Sequence, residues 1–157
     1  MKKQSLFKKL HKEGKLQLVE PSNDIKSAYL KKSESNLAAA KLLLDNDKPE
    51  EAVSMAYYSM YYITVALFFK TGIKCENHTA AAILVKIIFG LDNSQLSFAK
   101  RERIDKQYYI DFHITKEEVK DLIRIAEKYN AMIYDFIERL NTEKIEGFRK
   151  RMKDLLK

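Results

Sequence analysis

The sequence has few residues that break helices or form turns, with four glycines and two prolines among 157 residues. A chain so poor in turn formers favours long helices over many short strands. Its single cysteine, Cys75, excludes an intrachain disulfide and a zinc site of the CxxC type. The only histidines, His11, His78 and His113, are too scattered to suggest a metal site. We therefore expect a helical protein without a bound metal or cofactor.

Long apolar runs and the common enzyme signatures are also missing. There is no GxGxxG, P-loop, GxSxG or HExxH motif. The N-terminus is charged and lacks the apolar stretch of a signal peptide. The most apolar segment, 55–69, contains four tyrosines and is shorter than the roughly 20 residues of a membrane-spanning helix. We expect a core helix in a soluble, cytoplasmic protein without membrane contact.

The composition is that of one folded domain, with 46% hydrophobic and 32% charged residues. The net charge of +7 is concentrated at the ends, because residues 1–16 carry a net +5 and residues 143–157 a net +3. Basic tails can hold RNA phosphates by counterion release, or can simply be solvated helix faces. We favour the solvated faces and keep an RNA-binding accessory protein as an alternative.

Apolar residues at three- and four-residue steps predict an all-α fold, an antiparallel bundle of four to five helices. We expect a basic extension over 1–21, the bundle over 22–141 and a basic accessory helix over 142–157. The apolar period of the first bundle helix is interrupted at Lys32 and Ser33. No strand pattern is visible. The bundle helices are predicted from Ser22 or Asn23 to about 44, from Pro49 to about Lys70, over 80–89, over about 95–111, and from Thr115 to about 140.

The helix that begins at Pro49 is apolar around nearly its whole circumference, so it should be the central helix. Its bulky side chains share one arc, and small residues lie opposite. Such aromatic clusters are usually core or dimer interface, which we favour over a platform for stacking bases. The tyrosines of this arc are Tyr57, Tyr58, Tyr61 and Tyr62.

Two further groups could carry chemistry. Cys75 and His78 are three residues apart and could form a nucleophile and base, but we favour a loop cysteine beside a histidine that packs or caps a helix start.

The second group lies near the end of the fourth bundle helix. Its basic residues can form ion pairs within the helix or line a cleft, and both remain open for Arg103. The group consists of Lys100, Arg101, Glu102, Arg103, Asp105 and Lys106.

The order of these motifs resembles the HEPN family (Higher Eukaryotes and Prokaryotes Nucleotide-binding). The segment 51–62, EAVSMAYYSMYY, is similar to the family's A-Y-Y-A-M-F/Y-Y signature. The resemblance extends through 41–44 and the turn at 72–73, and His78 lies where the family has a K-x-H-x-G element, here without its glycine. Three later motifs of the family are also matched. Arg103 and Tyr108 resemble its helix end, residues 115–118 resemble the helix start that follows, and residues 126–129 resemble its closing helix. The similarity spans roughly residues 25–140.

The resemblance implies two activities: cleavage of RNA, or a binding role as the partner of a minimal nucleotidyltransferase. Many HEPN proteins are metal-independent RNases with an arginine, four to six residues and then a histidine near a helix end, acting across a homodimer cleft. Here the four-residue spacing from Arg103 ends on Tyr108 and not on a histidine. The preceding position, where the family has an aspartate, is Gln107, and His113 lies beyond the four to six residues that the motif allows. An unperturbed tyrosine, with a pKa near 10, is a poor general base at neutral pH.

We therefore expect a partner or nucleotide-binding subunit of a minimal nucleotidyltransferase, in a toxin–antitoxin-like pair and as a homodimer. The alternative is an RNase toxin that uses Arg103 and Tyr108, with His113 from the following loop as an aid. These two residues are the candidate catalytic groups. The candidate binding residues, for a nucleotide or RNA, are Tyr57, Tyr58, Tyr61, His78, Arg101 and Lys106.

Overall fold

The computed structural model describes residues 2–108 and 113–157, without the side chains of residues 106–108. Over this part of the chain it contains seven helices and two three-residue strands. Their order is α1 Lys2–Lys12, β1 Leu16–Leu18, α2 Asn23–Asp45, α3 Pro49–Thr71, β2 Ile73–Cys75, α4 His78–Ile87, α5 Ser94–Tyr108, α6 Lys116–Glu138 and α7 Thr142–Leu156. The all-α prediction is confirmed. The end predicted for α5, near Asp111, lies outside the described residues.

Helix α3 is the centre of the molecule, as its apolar circumference predicts. Pro49 opens its first turn, two acids follow at the positive end of the helix dipole, and Gly72 closes it in the left-handed conformation. Helices α2, α5 and α6 all contact it. By length and composition α3 could cross a membrane, but most of it is buried within the protein. Its apolar surface therefore forms the core of the bundle.

Helix α2 is continuous, as predicted, through Lys32 and Ser33, where its apolar period is interrupted. The Ser22 side chain caps the helix by accepting a hydrogen bond from the Ile25 amide. Ser33 is buried although it is polar, because its hydroxyl donates to the Ser59 carbonyl at 2.6 Å. A polar residue that interrupts the apolar period can therefore still face α3.

The N-terminal segment packs against the bundle through α1 and β1. Phe7, Leu10 and Leu16 are buried, and β1 pairs antiparallel with β2 so that Leu16 lies opposite Cys75 and Leu18 opposite Ile73. The prediction that no strand would form is wrong here, because two three-residue strands are too short to give a recognisable alternation. This pairing attaches the N-terminal segment to the chain just before α4.

The C-terminal helix α7 is held by two of its arginines. The Arg149 guanidinium donates to the carbonyls of Val19, Thr71 and Gly72, at the end of α3, at 2.7–3.1 Å. Arg151 donates to the Ile88 carbonyl, at the end of α4. Two of the cations counted in the basic C-terminal segment therefore bind helix ends within the protein.

Candidate functional site

Three elements bring His78 and two cations together. His78 is the first residue of α4, and the preceding Asn77 caps this helix by accepting from the Ala80 amide. Lys100 and Arg103 lie one turn apart on α5. The Lys100 ammonium donates to the Thr79 hydroxyl at 2.7 Å, which fixes it at the start of α4. Because helix N-termini carry partial positive charge, this end of α4 adds to the charge of the two cations.

The His78 ring is held by two tyrosines of α3. The Tyr57 hydroxyl lies 2.6 Å from Nδ1 of His78. The Tyr61 ring stacks on the imidazole with centroids 3.8 Å apart and an interplanar angle of 8°. Burial raises the pKa of Tyr57, so its hydroxyl stays protonated, and it makes no other hydrogen bond to a described residue. In the neutral imidazole this contact has two arrangements: the hydroxyl donates to Nδ1 and the ring proton resides on Nε2, or Nδ1–H donates to the hydroxyl oxygen.

The surroundings of His78 favour its neutral form. Burial lowers the pKa of His78 below 6.5, and the nearby charges of Arg103 and Lys100 lower it further. Burial and the charge of Arg103 also lower the pKa of Lys100. At neutral pH the group therefore presents two cations and an uncharged imidazole.

Arg103 is held by aromatic rings rather than by acids. Its guanidinium carbon lies 4.8 Å from the centroid of Tyr58 and 5.7 Å from that of Tyr57. Within the described residues, no carboxylate lies within 4.0 Å of Arg103 or Lys100. The ion pairs considered for Arg101 and Arg103 are thus not formed with these residues, and Arg101 is exposed to solvent.

The tyrosine arc is divided between two environments. Tyr57 and Tyr61 are buried, at 1% and 9% exposure, and belong to the core. Tyr58 and Tyr62 are half-buried, so part of each ring faces solvent. Of the two roles favoured from the sequence, core or dimer interface, the core role therefore applies to Tyr57 and Tyr61.

The other sequence candidates do not join this group in the described structure. The side chains of Tyr108, Lys106 and Gln107 lie outside the described part of the chain, and His113 is exposed. Cys75 is buried, its thiol lies 3.4 Å from the Asn77 carbonyl, and burial raises its pKa to about 11. A protonated, buried thiol is a poor nucleophile, which agrees with the structural role favoured for it.

Lys100 is the member of the group that was not named among the candidate site residues. In sequence it is one of many lysines, and only the contact with Thr79 distinguishes it.

Across residues 2–108 and 113–157, apart from the side chains of 106–108, no group of three or more His, Cys, Asp or Glu side chains could hold a metal ion. The chemistry open to His78, Lys100 and Arg103 is electrostatic binding of an anion by donors of fixed geometry. We call these three residues the cationic site.

The fold and the cationic site define a small all-α bundle built around one aromatic helix. The family model described as HEPN domain matches residues 27–140, and the chain belongs to the HEPN family. The match includes every residue of the cationic site.

Two curated proteins are similar to the chain. A UPF0332 protein of Thermotoga maritima is 32% identical over 110 residues, which cover 64% of this chain and 82% of that protein. A UPF0332 protein of Pyrococcus horikoshii is 36% identical over 73 residues, covering 46% of this chain and 49% of that protein.

Proposed function

We propose that this HEPN protein binds a nucleotide and that the cationic site holds its phosphate. The observation that carries the proposal is that Lys100 and Arg103 lie close to His78, with no carboxylate of the described residues within 4.0 Å of either cation. Placing like charges together costs free energy, and a bound phosphate would relieve that cost.

The tautomer that we propose for His78, with Tyr57 donating to Nδ1 and the ring proton on Nε2, supports binding over catalysis. A proton on Nε2 makes this atom a hydrogen-bond donor, which suits a phosphate oxygen. The same proton prevents Nε2 from acting as the general base that strand cleavage requires. Tyr57 thus keeps the histidine in the form that binds an anion.

The biological role we propose is that of the nucleotide-binding subunit of a minimal nucleotidyltransferase, as a homodimer in a toxin–antitoxin-like pair. This part rests on family membership rather than on a contact in the structure. Co-expression of the chain with a minimal nucleotidyltransferase tests it by co-purification. Failure of the two proteins to associate would contradict the pairing and would leave the phosphate site to be tested separately.

Calorimetric titration with a nucleoside monophosphate and with the matching nucleoside tests the phosphate site. We expect the nucleotide to bind and the nucleoside to bind far more weakly. Arg103→Gln and Lys100→Gln should each weaken nucleotide binding about tenfold or more, because each removes a charge-assisted hydrogen bond of roughly 1.5–3 kcal/mol. Arg101→Gln is the matched control, since Arg101 is exposed on the same helix. Equal affinities for the wild type and the two site variants would contradict the proposal.

A metal-independent RNase is the second candidate, favoured by the closeness of a histidine to Arg103. Arg103 lies over the Tyr57 ring, whose hydroxyl bonds His78, so the two groups share one site although α4 and α5 supply them separately. Arg103 could stabilise negative charge on the phosphorus, with Tyr108 as the candidate named from the sequence spacing. RNA cleavage in EDTA that is lost in both Arg103→Ala and His78→Ala would establish this activity. Absence of cleavage by the folded wild type would exclude it.

A further inference from the structure

Four half-buried aromatic rings form a continuous row on α2 and α3. The Tyr58 and Tyr62 centroids are 5.8 Å apart at 21°, and those of Tyr62 and Tyr29 are 5.9 Å apart at 32°. Tyr29 then stacks on Phe69 at 5.7 Å and 5°. We call Tyr58, Tyr62, Tyr29 and Phe69 the aromatic row. It begins beside the cationic site, because Arg103 lies over Tyr58.

Positive charges accompany the aromatic row. The Lys32 ammonium lies 4.3 Å from the centroid of Tyr62 and 5.9 Å from that of Tyr29, and Arg103 lies 4.8 Å from that of Tyr58. Lys32 is exposed, and no described carboxylate lies within 4.0 Å of its ammonium. Rings and cations therefore alternate over the surface that leads away from the cationic site.

The row also has open hydrogen-bonding capacity. The hydroxyls of Tyr29, Tyr58 and Tyr62 make no hydrogen bond to a described residue, and these three rings are partly exposed. The partly exposed rings are therefore available to a ligand.

We infer that the aromatic row binds the bases of a single-stranded nucleic acid whose phosphates contact Lys32 and Arg103. The inference rests on the proposed phosphate site and extends its ligand from one nucleotide to an oligonucleotide. Surfaces that bind single strands combine aromatic side chains, on which bases stack, with cations along the backbone. Both features occur here in one row.

A second copy of the chain is the other occupant that an aromatic face suggests. In a two-fold dimer the same patch meets itself, so Lys32 and Arg103 of both copies would be brought to one interface. That interface would gather four cations, and neither residue has a carboxylate neighbour among the described residues. An anionic ligand fits the row better than a like-charged copy does.

Fluorescence anisotropy with end-labelled oligouridylates of increasing length, in EDTA, tests this inference. We expect the affinity to rise with length and to fall when the bases are replaced by abasic units. Tyr62→Ala and Tyr29→Ala should each weaken binding of the longer oligomers about 5- to 150-fold, the range for loss of one stacked base. Tyr62→Phe should retain binding because the ring remains.

Matched controls lie elsewhere on the chain. Tyr134 on α6 is 48% exposed and is not part of the row, so Tyr134→Ala should leave the affinity unchanged. Lys31 is exposed next to Lys32, so Lys31→Gln should weaken binding less than Lys32→Gln does. Circular dichroism of each variant establishes that it is folded.

The outcomes separate the aromatic row from the cationic site. If the mononucleotide binds but neither length, bases nor Tyr62→Ala changes the affinity for oligomers, the row inference is wrong and the phosphate site stands. If neither mononucleotide nor oligomer binds, both proposals fail. If Tyr62→Ala dissociates a dimer in analytical ultracentrifugation but leaves oligomer affinity unchanged, the row is an interface between copies and the inference is overturned.

Discussion

The Tyr57 hydroxyl meets Nδ1 of His78 at 2.6 Å, although the two residues are 21 positions apart in the sequence. The bond joins the central helix to the first residue of α4, and its direction decides which imidazole nitrogen carries the proton in the neutral ring. With Tyr57 as the donor, His78 contributes a donor to the cationic site, whereas the opposite tautomer would contribute an acceptor. The chemistry of the site depends on this contact as much as on the two cations.

Tyr57→Phe should change the protonation of His78 and weaken the fold. The variant leaves Nδ1 without its donor, which allows the proton to move from Nε2 to Nδ1. Loss of one partly buried hydrogen bond should lower the free energy of unfolding by about 1 kcal/mol. Urea denaturation measures the stability, and the nitrogen chemical shifts of the His78 ring measure the tautomer. Tyr134→Phe, on an exposed ring, is the control. An unchanged tautomer would show that Tyr57 does not set it.

Acid should destabilise the protein through His78 and strengthen anion binding. Because the pKa of His78 in the folded state lies below its unfolded value of 6.5, the unfolded chain binds more protons as the pH falls past 6.5. Stability from this group is thus full above about pH 6.5 and is lost progressively below it. A bound phosphate favours the imidazolium, so nucleotide affinity should rise over the same range.

Stability and nucleotide affinity measured across this pH range, in the wild type and His78→Gln, test both effects. The variant should lose less stability on acidification and should show a flatter dependence of affinity on pH. The other two histidines, His11 and His113, are exposed and are retained in both proteins. Parallel pH profiles for the two proteins would exclude His78 as the titrating group.

The helices were largely predictable because their signals are local. The side-chain cap at Ser22, the proline at the first turn of α3, the left-handed Gly72 and the Thr115 cap of α6 occur where the sequence placed them. Each of these signals depends on a few neighbouring residues and on backbone geometry.

The cationic site was less predictable because it depends on packing between distant segments. The spacing of the family motif predicts a histidine on the same helix as Arg103, whereas in the structure His78 approaches from α4. The division of the tyrosine arc also depends on which neighbours cover each ring, and α2 leaves Tyr58 and Tyr62 half-buried. The β1–β2 pair is equally non-local, since three residues on each side carry no pattern of their own.

Gly72→Ala should destabilise the protein strongly, whereas Gly147→Ala should stabilise it. Gly72 has φ +76°, and a Cβ there would meet the Val19 carbonyl and the Arg149 guanidinium. The left-handed conformation alone costs a residue with a Cβ about 1–2 kcal/mol, and the clash adds to it. Gly147 lies within α7 with open space around it, so alanine should add about 0.5–1 kcal/mol. Thermal denaturation of both variants measures the difference. Similar melting temperatures for the two would contradict this account of Gly72.

Removal of residues 1–18 should destabilise the whole bundle, so truncation cannot test whether the basic N-terminus binds RNA. It would remove Phe7, Leu10 and Leu16, which are 1%, 4% and 0% exposed. Burial of each such side chain contributes about 1.5–3 kcal/mol, so their sum is comparable to the whole stability of a small domain. A large fall in melting temperature is the expected result.

Neutralising the exposed lysines of α1 tests RNA binding without removing that core. Four of its five exposed lysines share an arc of about 120° on the side away from Phe7 and Leu10. If they contact phosphates, their replacement by glutamine should reduce the slope of log affinity against log salt by up to about 3 for single-stranded RNA, with little change in melting temperature. The four are Lys2, Lys8, Lys9 and Lys12.

Helix α7 provides the control for this experiment. Lys150 and Lys153 are exposed, but Glu146 and Asp154 share their face, which lowers its net positive charge. Their replacement by glutamine should therefore change the salt slope less than the α1 variant does. If the two variants flatten the slope equally, general charge rather than α1 attracts the RNA. If neither changes it, the basic ends are solvated helix faces, and RNA binding by the protein depends on the cationic site and the aromatic row.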